Sequence, residues 1–184
     1  MKKTIFIFAA MAAAFLAAPA AQAQKAAVVA VIDTQHIQRT SLAGKDIQIQ
    51  IDALRTKFQS EMQGEEEKLR KEAEDLQRQK DILAPEAFQA RQKQYQDKVA
   101  AAQRLAQEKR RQLELAVRQS SNDLQRGLVP VLRKIMDARK ITLVVDKSQV
   151  IMQGAGLEIT TEVIEALDAT LPSVKVELPK AQPQ

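Results

Sequence analysis

Residues 69–102 read LRKEAEDLQRQKDILAPEAFQARQKQYQDKVAAA, two helix-favouring stretches that meet at Pro85. Proline disfavours helix in the residue before it, here Ala84, but it starts a new helix well. From about Lys45 to about Arg139, most residues on either side of this break are good helix formers. The sequence therefore predicts two antiparallel helices that turn back on each other at Pro85.

The register of this hairpin follows from reflecting the sequence about the turn. If the turn centres near 85.5, facing residues have numbers that add to about 171, and six apolar pairs satisfy this rule. The pairs are Leu83–Phe88, Leu76–Tyr95, Leu69–Ala102, Phe58–Leu113, Leu54–Val117 and Ile47–Leu124. Apolar residues also recur at seven-residue steps, in Met62, Leu69, Leu76 and Leu83 and in Val117, Leu124 and Val131. Together these patterns predict an antiparallel coiled-coil hairpin over residues 45–140.

The two arms of the hairpin carry opposite charge. Residues 45–83 hold 8 Lys/Arg and 10 Asp/Glu, whereas residues 86–140 hold 13 Lys/Arg and 6 Asp/Glu. The outgoing arm would extend about 58 Å at 1.5 Å per residue. We expect weak attraction between the arms and a surplus of positive charge on the returning arm.

The apolar seam nearly vanishes at Gly64-Glu65-Glu66-Glu67. A glycine and three like charges weaken a helix locally. This stretch is either a flexible point in the arm or an ordinary solvated length of straight helix.

The chain on either side of the hairpin favours strands. Val28–Asp33 and Ile141–Asp146 are apolar runs of strand length, and Gln149–Met152 is predicted as a third strand after a polar turn. A short amphipathic helix is predicted over Glu162–Leu167, with a threonine as its cap. Pro179 and Pro183 indicate a frayed tail.

The fold class is therefore α+β, in which the long coiled-coil hairpin projects from a small β-rich body. This body would be formed by residues 24–44 and 141–184, which contain no aromatic residue. Because so small a body is a poor anchor for a long hairpin, we expect it to oligomerise. Copies joined through their strands would also cover the exposed sheet edges.

The first 23 residues have the pattern of a removable signal peptide. Lys2 and Lys3 precede an apolar run over residues 5–18, and Ala21-Gln22-Ala23 fits the small-x-small cleavage pattern. The run is too short for the ~20 residues of a spanning helix. We expect cleavage before Gln24, which leaves a mature chain in the periplasm, and no lipid anchor because no cysteine follows.

The composition excludes several functional classes. The chain has no Cys, no Trp and only one His, His36, which excludes thiol enzymes, disulfide scaffolds and His-rich metal sites. An arrangement of Ser148, His36 and Asp146 is conceivable, but no nucleophile-elbow pattern surrounds Ser148. We expect no catalysis, no cofactor, no metal and no nucleic-acid partner.

A basic cluster, Lys109-Arg110-Arg111, lies on the returning arm. It is either a contact for phosphate or lipid head groups or a solvated helix face.

Short motifs in a fixed order resemble a known family. They are Val29-Ala30-Val31-Ile32-Asp33, the run LVVDKSQV at 143–150 and the run EITTEVI at 158–164. With the signal peptide and the long hairpin, the mature chain resembles the Skp/OmpH-like periplasmic chaperones of Gram-negative bacteria. It departs from their pattern at Glu158, where the family often has Asp, and near Met152, where the family often has an aromatic residue.

The resemblance implies a jellyfish-like homotrimer whose strands form a central barrel. Its hairpins would project as tentacles around a cavity that holds unfolded outer-membrane proteins. The implied function is that of a holdase chaperone, which prevents the aggregation of these proteins before insertion. Some relatives bind lipopolysaccharide, so contact with lipopolysaccharide or a membrane surface is also expected, at residues that the resemblance does not locate.

A long, sparsely apolar, basic surface can hold an unfolded acidic chain through many weak contacts. The candidate client contacts are Met62, Phe88, Lys93, Tyr95, Arg104 and Arg110. The alternative function is that of a structural or adaptor coiled-coil protein of the cell envelope. An efflux adaptor, however, needs larger flanking domains than these, and an activator of cell-wall hydrolases usually has a separate globular domain.

Overall fold

The computed structural model describes residues 26–179, so the predicted signal peptide lies outside the described residues. The elements are β1 (Val29–Ile32), α1 (Thr34–Thr40), α2 (Leu42–Gln79), α3 (Pro85–Arg139), β2 (Leu143–Asp146), a 3-10 turn (Lys147–Gln149) and α4 (Thr160–Thr170). The described chain is mostly helical. Its two long helices accompany a small sheet of two parallel strands.

The hairpin turns where the sequence predicts. Pro85 is the first residue of α3, after Ala84 in an extended conformation. The helices are 38 and 55 residues long, which gives about 57 and 83 Å at 1.5 Å per residue. α2 is continuous through Gly64. Flexing at that point stays a prediction.

α3 also continues through a second proline, Pro130. Proline has no backbone N–H, so the carbonyl of Arg126 loses its helical partner. Both residues are exposed, which leaves that carbonyl open to water. α3 ends at Arg139. The next residue, Lys140, has a left-handed φ of 58°, and its N–H donates to the Met136 carbonyl.

The sheet pairs the two ends of the hairpin. Val29 lies beside Leu143 and Ile32 beside Asp146 in a parallel register. On its other edge, β1 meets a single bridge in which Val31 N–H donates to the Leu157 carbonyl at 2.8 Å. β1 is therefore held from both sides by residues that follow the hairpin.

The prediction of a third strand at Gln149–Met152 is wrong. The Asp146 carboxylate accepts hydrogen bonds from the Ser148 N–H and hydroxyl, and this turns the chain into the 3-10 turn. Ile151 and Met152 then stand in solvent without a strand partner among the described residues. An apolar run alone does not make a strand where no neighbour pairs with it.

The threonine cap predicted for the short helix is also wrong. α4 begins at Thr160, after Ile159, and no side chain caps it. The buried Thr160 hydroxyl accepts from the Asp33 N–H at 3.0 Å and donates to Glu158 at 3.1 Å. Thr160 thus ties α4 to the end of β1.

The body is less β-rich than the sequence predicts, because α1 and the start of α2 lie within residues 34–44. Side-chain caps start both helices: Asp33 accepts from the His36 N–H, and Ser41 accepts from the Gly44 N–H. The core forms where α1, α4 and the bases of α2 and α3 meet β1. Its members include Ile32, Ile37, Ile135, Val163 and Leu167.

After α4, residues 171–179 run along the base of the hairpin without regular structure, and we call them the C-terminal strap. Val174 is buried, and Leu171 packs so closely on α3 that a Cβ at Gly127 would lie 2.3 Å from it. The strap is therefore seated against the hairpin and is not frayed as far as Pro179.

Candidate functional site

The seam between α2 and α3 is buried only near the body. On α2 the buried seam residues are Ile47, Ile51 and Phe58, and on α3 burial begins again at Ala116. No residue from 59 to 115 is fully buried. The outer part of the hairpin is thus a two-helix arm without a closed core.

Two ion pairs fix the register of this arm. Lys98 Nζ lies 2.5 Å from Glu72, and Lys109 Nζ lies 2.9 Å from Glu61. In both pairs the two residue numbers add to 170, which is one less than the sum of 171 predicted for facing residues. Near the base the one-residue difference matters, because Ala116 is 1% exposed whereas Val117 is 40% exposed. The predicted pairing of Leu54 with Val117 is therefore wrong, and Ala116 takes the inward position.

Apolar side chains of three other predicted pairs are half-buried along the arm, and their pairing stays a prediction. Leu69 and Leu76 on α2 and Leu83 in the turn share this burial class with Phe88, Tyr95 and Ala102 on α3. Their exposed fractions leave apolar surface available along both flanks of the seam.

Lys109 belongs to the seam and not to a free basic cluster. Its ammonium lies 4.4 Å from the centroid of the Phe58 ring and pairs with Glu61, and its side chain is only 24% exposed. Arg110 and Arg111 are exposed. The basic cluster predicted from sequence therefore presents two cations to solvent and not three.

The cations of α2 are largely paired with carboxylates of the same helix. The pairs are Arg55–Asp52, Lys68–Glu65, Lys71–Glu67 and Arg78–Asp75. The hydrogen bond and charge of Lys71 lower the pKa of Glu67 below its usual value. Because such pairs neutralise α2 locally, the positive charge of the hairpin is carried by α3.

The six predicted contact residues divide into two kinds. Met62, Phe88 and Tyr95 are half-buried at the seam, whereas Lys93, Arg104 and Arg110 are exposed and form no ion pair among residues 26–179. Tyr95 lies in a shallow depression with Leu76 and Arg91 between the helices. The six are spread along the arm and do not converge on one point.

Sequence reasoning missed several exposed apolar residues of the hairpin. Ile82 at the turn is 79% exposed, and Ile49 on α2 is 68% exposed. Leu105 and Leu115 on α3 are also exposed. Their exposure could have been predicted from their positions outside the heptad seam, where no partner helix covers an apolar side chain.

Asp146 and Ser148, two of the three residues of the conceivable catalytic arrangement, belong to a hydrogen-bonded cluster at the end of β2. Asp146 accepts from the hydroxyl and N–H of Ser148 and from the Thr34 hydroxyl, and these bonds lower the pKa of its carboxyl group to about 2. The Ser148 hydroxyl therefore donates to a carboxylate that is a poor base. His36 is engaged through its backbone N–H with Asp33. This arrangement fixes the end of β2.

Among residues 26–179, no helix combines the length and the apolar character that crossing a membrane requires.

Comparison with solved structures identifies a close fold match. A candidate outer membrane chaperone (OmpH-like) from Caulobacter crescentus CB15 superimposes with a TM-score of 0.81 at 22% sequence identity. The match covers 86% of this chain and 94% of that chain. At this identity the likeness establishes the fold. No curated protein matches the chain.

The family comparison goes further than the fold. The model of the family described as outer membrane protein (OmpH-like) matches residues 28–167, from the start of β1 through most of α4. The matched range contains the whole hairpin and both strands. The chain therefore belongs to the OmpH-like family.

Proposed function

We propose that this protein is a periplasmic holdase chaperone that binds unfolded outer-membrane proteins and prevents their aggregation before insertion. The observation that carries the proposal is the arm over residues 59–115, which leaves apolar and cationic side chains accessible along its length without a closed core. Membership of the OmpH-like family and the fold of the Caulobacter chaperone candidate support it.

The arm suits weak, distributed binding. Each partly exposed apolar side chain, such as Phe88 or Tyr95, contributes about 1 kcal/mol when a client buries the rest of it. Several such contacts made together give useful affinity, and each can be released separately. A client that must later leave for the membrane needs this reversibility.

Charge on α3 supports capture. The free cations Lys93, Arg104 and Arg110 attract an acidic unfolded chain before contact, over about 8 Å at physiological salt. Apolar contact at Met62 and Tyr95 follows at short range. The same exposed arginines are the natural place for the lipopolysaccharide or membrane-surface contact, which stays a prediction.

The proposal includes a homotrimer joined through the body. Leu143 in β2 is half-exposed, and Ile151 and Met152 after it stand fully in solvent. Apolar side chains of this size are costly to leave in water, and neighbouring copies would cover them. Replacing Val144 in β2 with Asp should dissociate the oligomer. Deletion of residues 62–109 should leave a trimer, as measured by native mass spectrometry.

An aggregation assay tests the function. An outer-membrane barrel protein, unfolded in urea, is diluted into buffer with the chain at increasing ratios, and light scattering is followed. We expect scattering to fall in proportion to the chaperone trimer. Scattering equal to that with an inert protein of the same charge would instead favour a structural or adaptor role in the cell envelope.

A further inference from the structure

The base of the hairpin has two flanks, and the C-terminal strap fills one of them. The Gln50 amide donates to the Val174 carbonyl at 2.9 Å and accepts from the Val176 N–H at 2.9 Å. The Ser173 hydroxyl donates to Asp46 at 2.8 Å. This flank therefore holds an extended segment of chain in two ways. The side-chain amide of Gln50 bonds with the backbone of the strap, and Val174 of the strap is buried.

The opposite flank is an open groove. Gln48 and Gln50 are two residues apart on α2, so at 100° per residue their side chains leave the helix about 200° apart. Gln48 lines a depression of about 580 Å³ together with Ile47, Ile51 and Val117, and its surface is mainly apolar. A hydrogen bond of 2.7 Å from Gln38 on α1 to Ser121 on α3 crosses between the groove walls.

The groove has a cationic rim. Arg39 and Lys45 line it, are exposed, and form no ion pair within the part of the chain that the structure describes. Arg55 lines it as well and pairs with Asp52. An apolar floor beside free cations complements a segment that carries both apolar side chains and a carboxylate.

We propose that this groove binds an extended segment of the client in which apolar residues alternate and at least one residue is acidic. The strap supplies the precedent, because the same pair of helices holds an extended segment with alternating Val174 and Val176 on the other flank. The inference rests on the proposed function and gives the client a defined binding site near the body, where the seam between the helices is buried. The arm then holds the rest of the client more loosely.

The test uses the full mature chain with an unfolded outer-membrane barrel as the probe. Val117→Glu places a carboxylate in the groove at a position that is already 40% exposed, so the fold should survive. Val129→Glu is the matched control, because Val129 is an exposed valine of α3 that does not line the groove. We expect the dissociation constant to rise about tenfold for Val117→Glu and to change less than twofold for the control.

A cross-linking experiment tests where the client binds. Because the chain has no native cysteine, Gln48→Cys carries the only thiol and accepts a photoreactive maleimide. Gln119→Cys, exposed on the flank of the strap, is its control. Client should cross-link strongly from position 48 and weakly from position 119. A peptide as long as the strap, with alternating leucines and two aspartates, should compete, whereas its lysine counterpart should not.

The outcomes separate this inference from the proposed function. If Val117→Glu and Val129→Glu bind client equally well while the wild-type chain still suppresses aggregation, the groove is not a client-binding site and the chaperone function stands. Cross-linking of position 48 to another copy of the chain, without client, would assign the groove to the oligomer and overturn the inference. If Val117→Glu alters the circular dichroism spectrum, Ile49→Glu on the same groove replaces it. Failure of the wild-type chain to suppress aggregation would instead refute the proposed function.

Discussion

Replacing Gln50 with Ala should loosen the C-terminal strap and destabilise the base of the hairpin. The substitution removes both hydrogen bonds between the Gln50 amide and the strap backbone. A hydrogen bond contributes about 0.5–1.5 kcal/mol net, and Gln50 is half-buried, so water partly replaces the lost partners. We expect a loss of about 1–2 kcal/mol in the free energy of unfolding.

Urea denaturation followed by far-ultraviolet circular dichroism measures this loss. Protein concentration is held constant, because oligomerisation shifts the apparent stability. Gln59→Ala, an exposed glutamine on the same helix, is the control and should change the free energy by less than about 0.5 kcal/mol. Hydrogen exchange should also increase at Val176, whose N–H donates to Gln50. Equal stability of the two variants would mean that Val174 and Leu171 hold the strap by packing alone, and the assigned role of Gln50 would be wrong.

Three further predictions follow from the arm and the body. Leu69→Cys with Ala102→Cys should cross-link within one chain on oxidation, and faster than Leu69→Cys with Phe88→Cys. The Glu72–Lys98 ion pair brings position 69 to within about one residue of the position opposite Ala102, whereas Phe88 lies near the turn. Equal yields would refute the register. Reversing the charge of Lys93, Arg104 and Arg110 should slow client capture in stopped-flow measurements, most clearly at low ionic strength, and should leave helicity unchanged. A capture rate that responds neither to these substitutions nor to salt would exclude electrostatic capture. The pKa of Asp146, lowered from 3.8 to about 2, means that its hydrogen bonds stabilise the fold above pH 4 and that this stability is lost as the pH falls towards 2. Asp146→Asn should therefore flatten the dependence of stability on pH in that window, and an unchanged pH profile would show that the hydrogen bonds of Asp146 are not stabilising.

The hairpin could be predicted from sequence because its signals are local or periodic. Pro85 marks the turn, and the seven-residue repeat of Leu69, Leu76 and Leu83 marks the seam. The predicted register is wrong by one residue at Val117, because Ala116 takes the inward position there. Buried residues there follow a four-residue row through Ala116, Ser120, Leu124 and Leu128, which a heptad rule does not describe.

The strap and the groove could not be predicted, since each depends on contacts between residues far apart in the chain. Gln50 looks like any helical glutamine until its amide is seen against Val174 and Val176. Pro179 and Pro183 indicated a frayed tail, although the segment up to Pro179 is seated; Pro183 lies outside the described residues. The exposure of Ile151 could not be predicted either, because an apolar run does not show whether a neighbouring strand will pair with it.

The parallel pairing of β1 with β2 has a consequence for the order in which the chain folds. Val28 and Thr142, which bond beside the sheet, are 114 positions apart, and the whole hairpin lies between them. Local helical contacts form in microseconds, whereas contacts between distant residues must first overcome the entropy of closing a long loop. A chain that emerges from its amino terminus exposes β1 first, and that strand has no partner until β2, at Leu143–Asp146, has followed. The arms should thus be formed while the body is still open, so that closure of the sheet is the late step of folding.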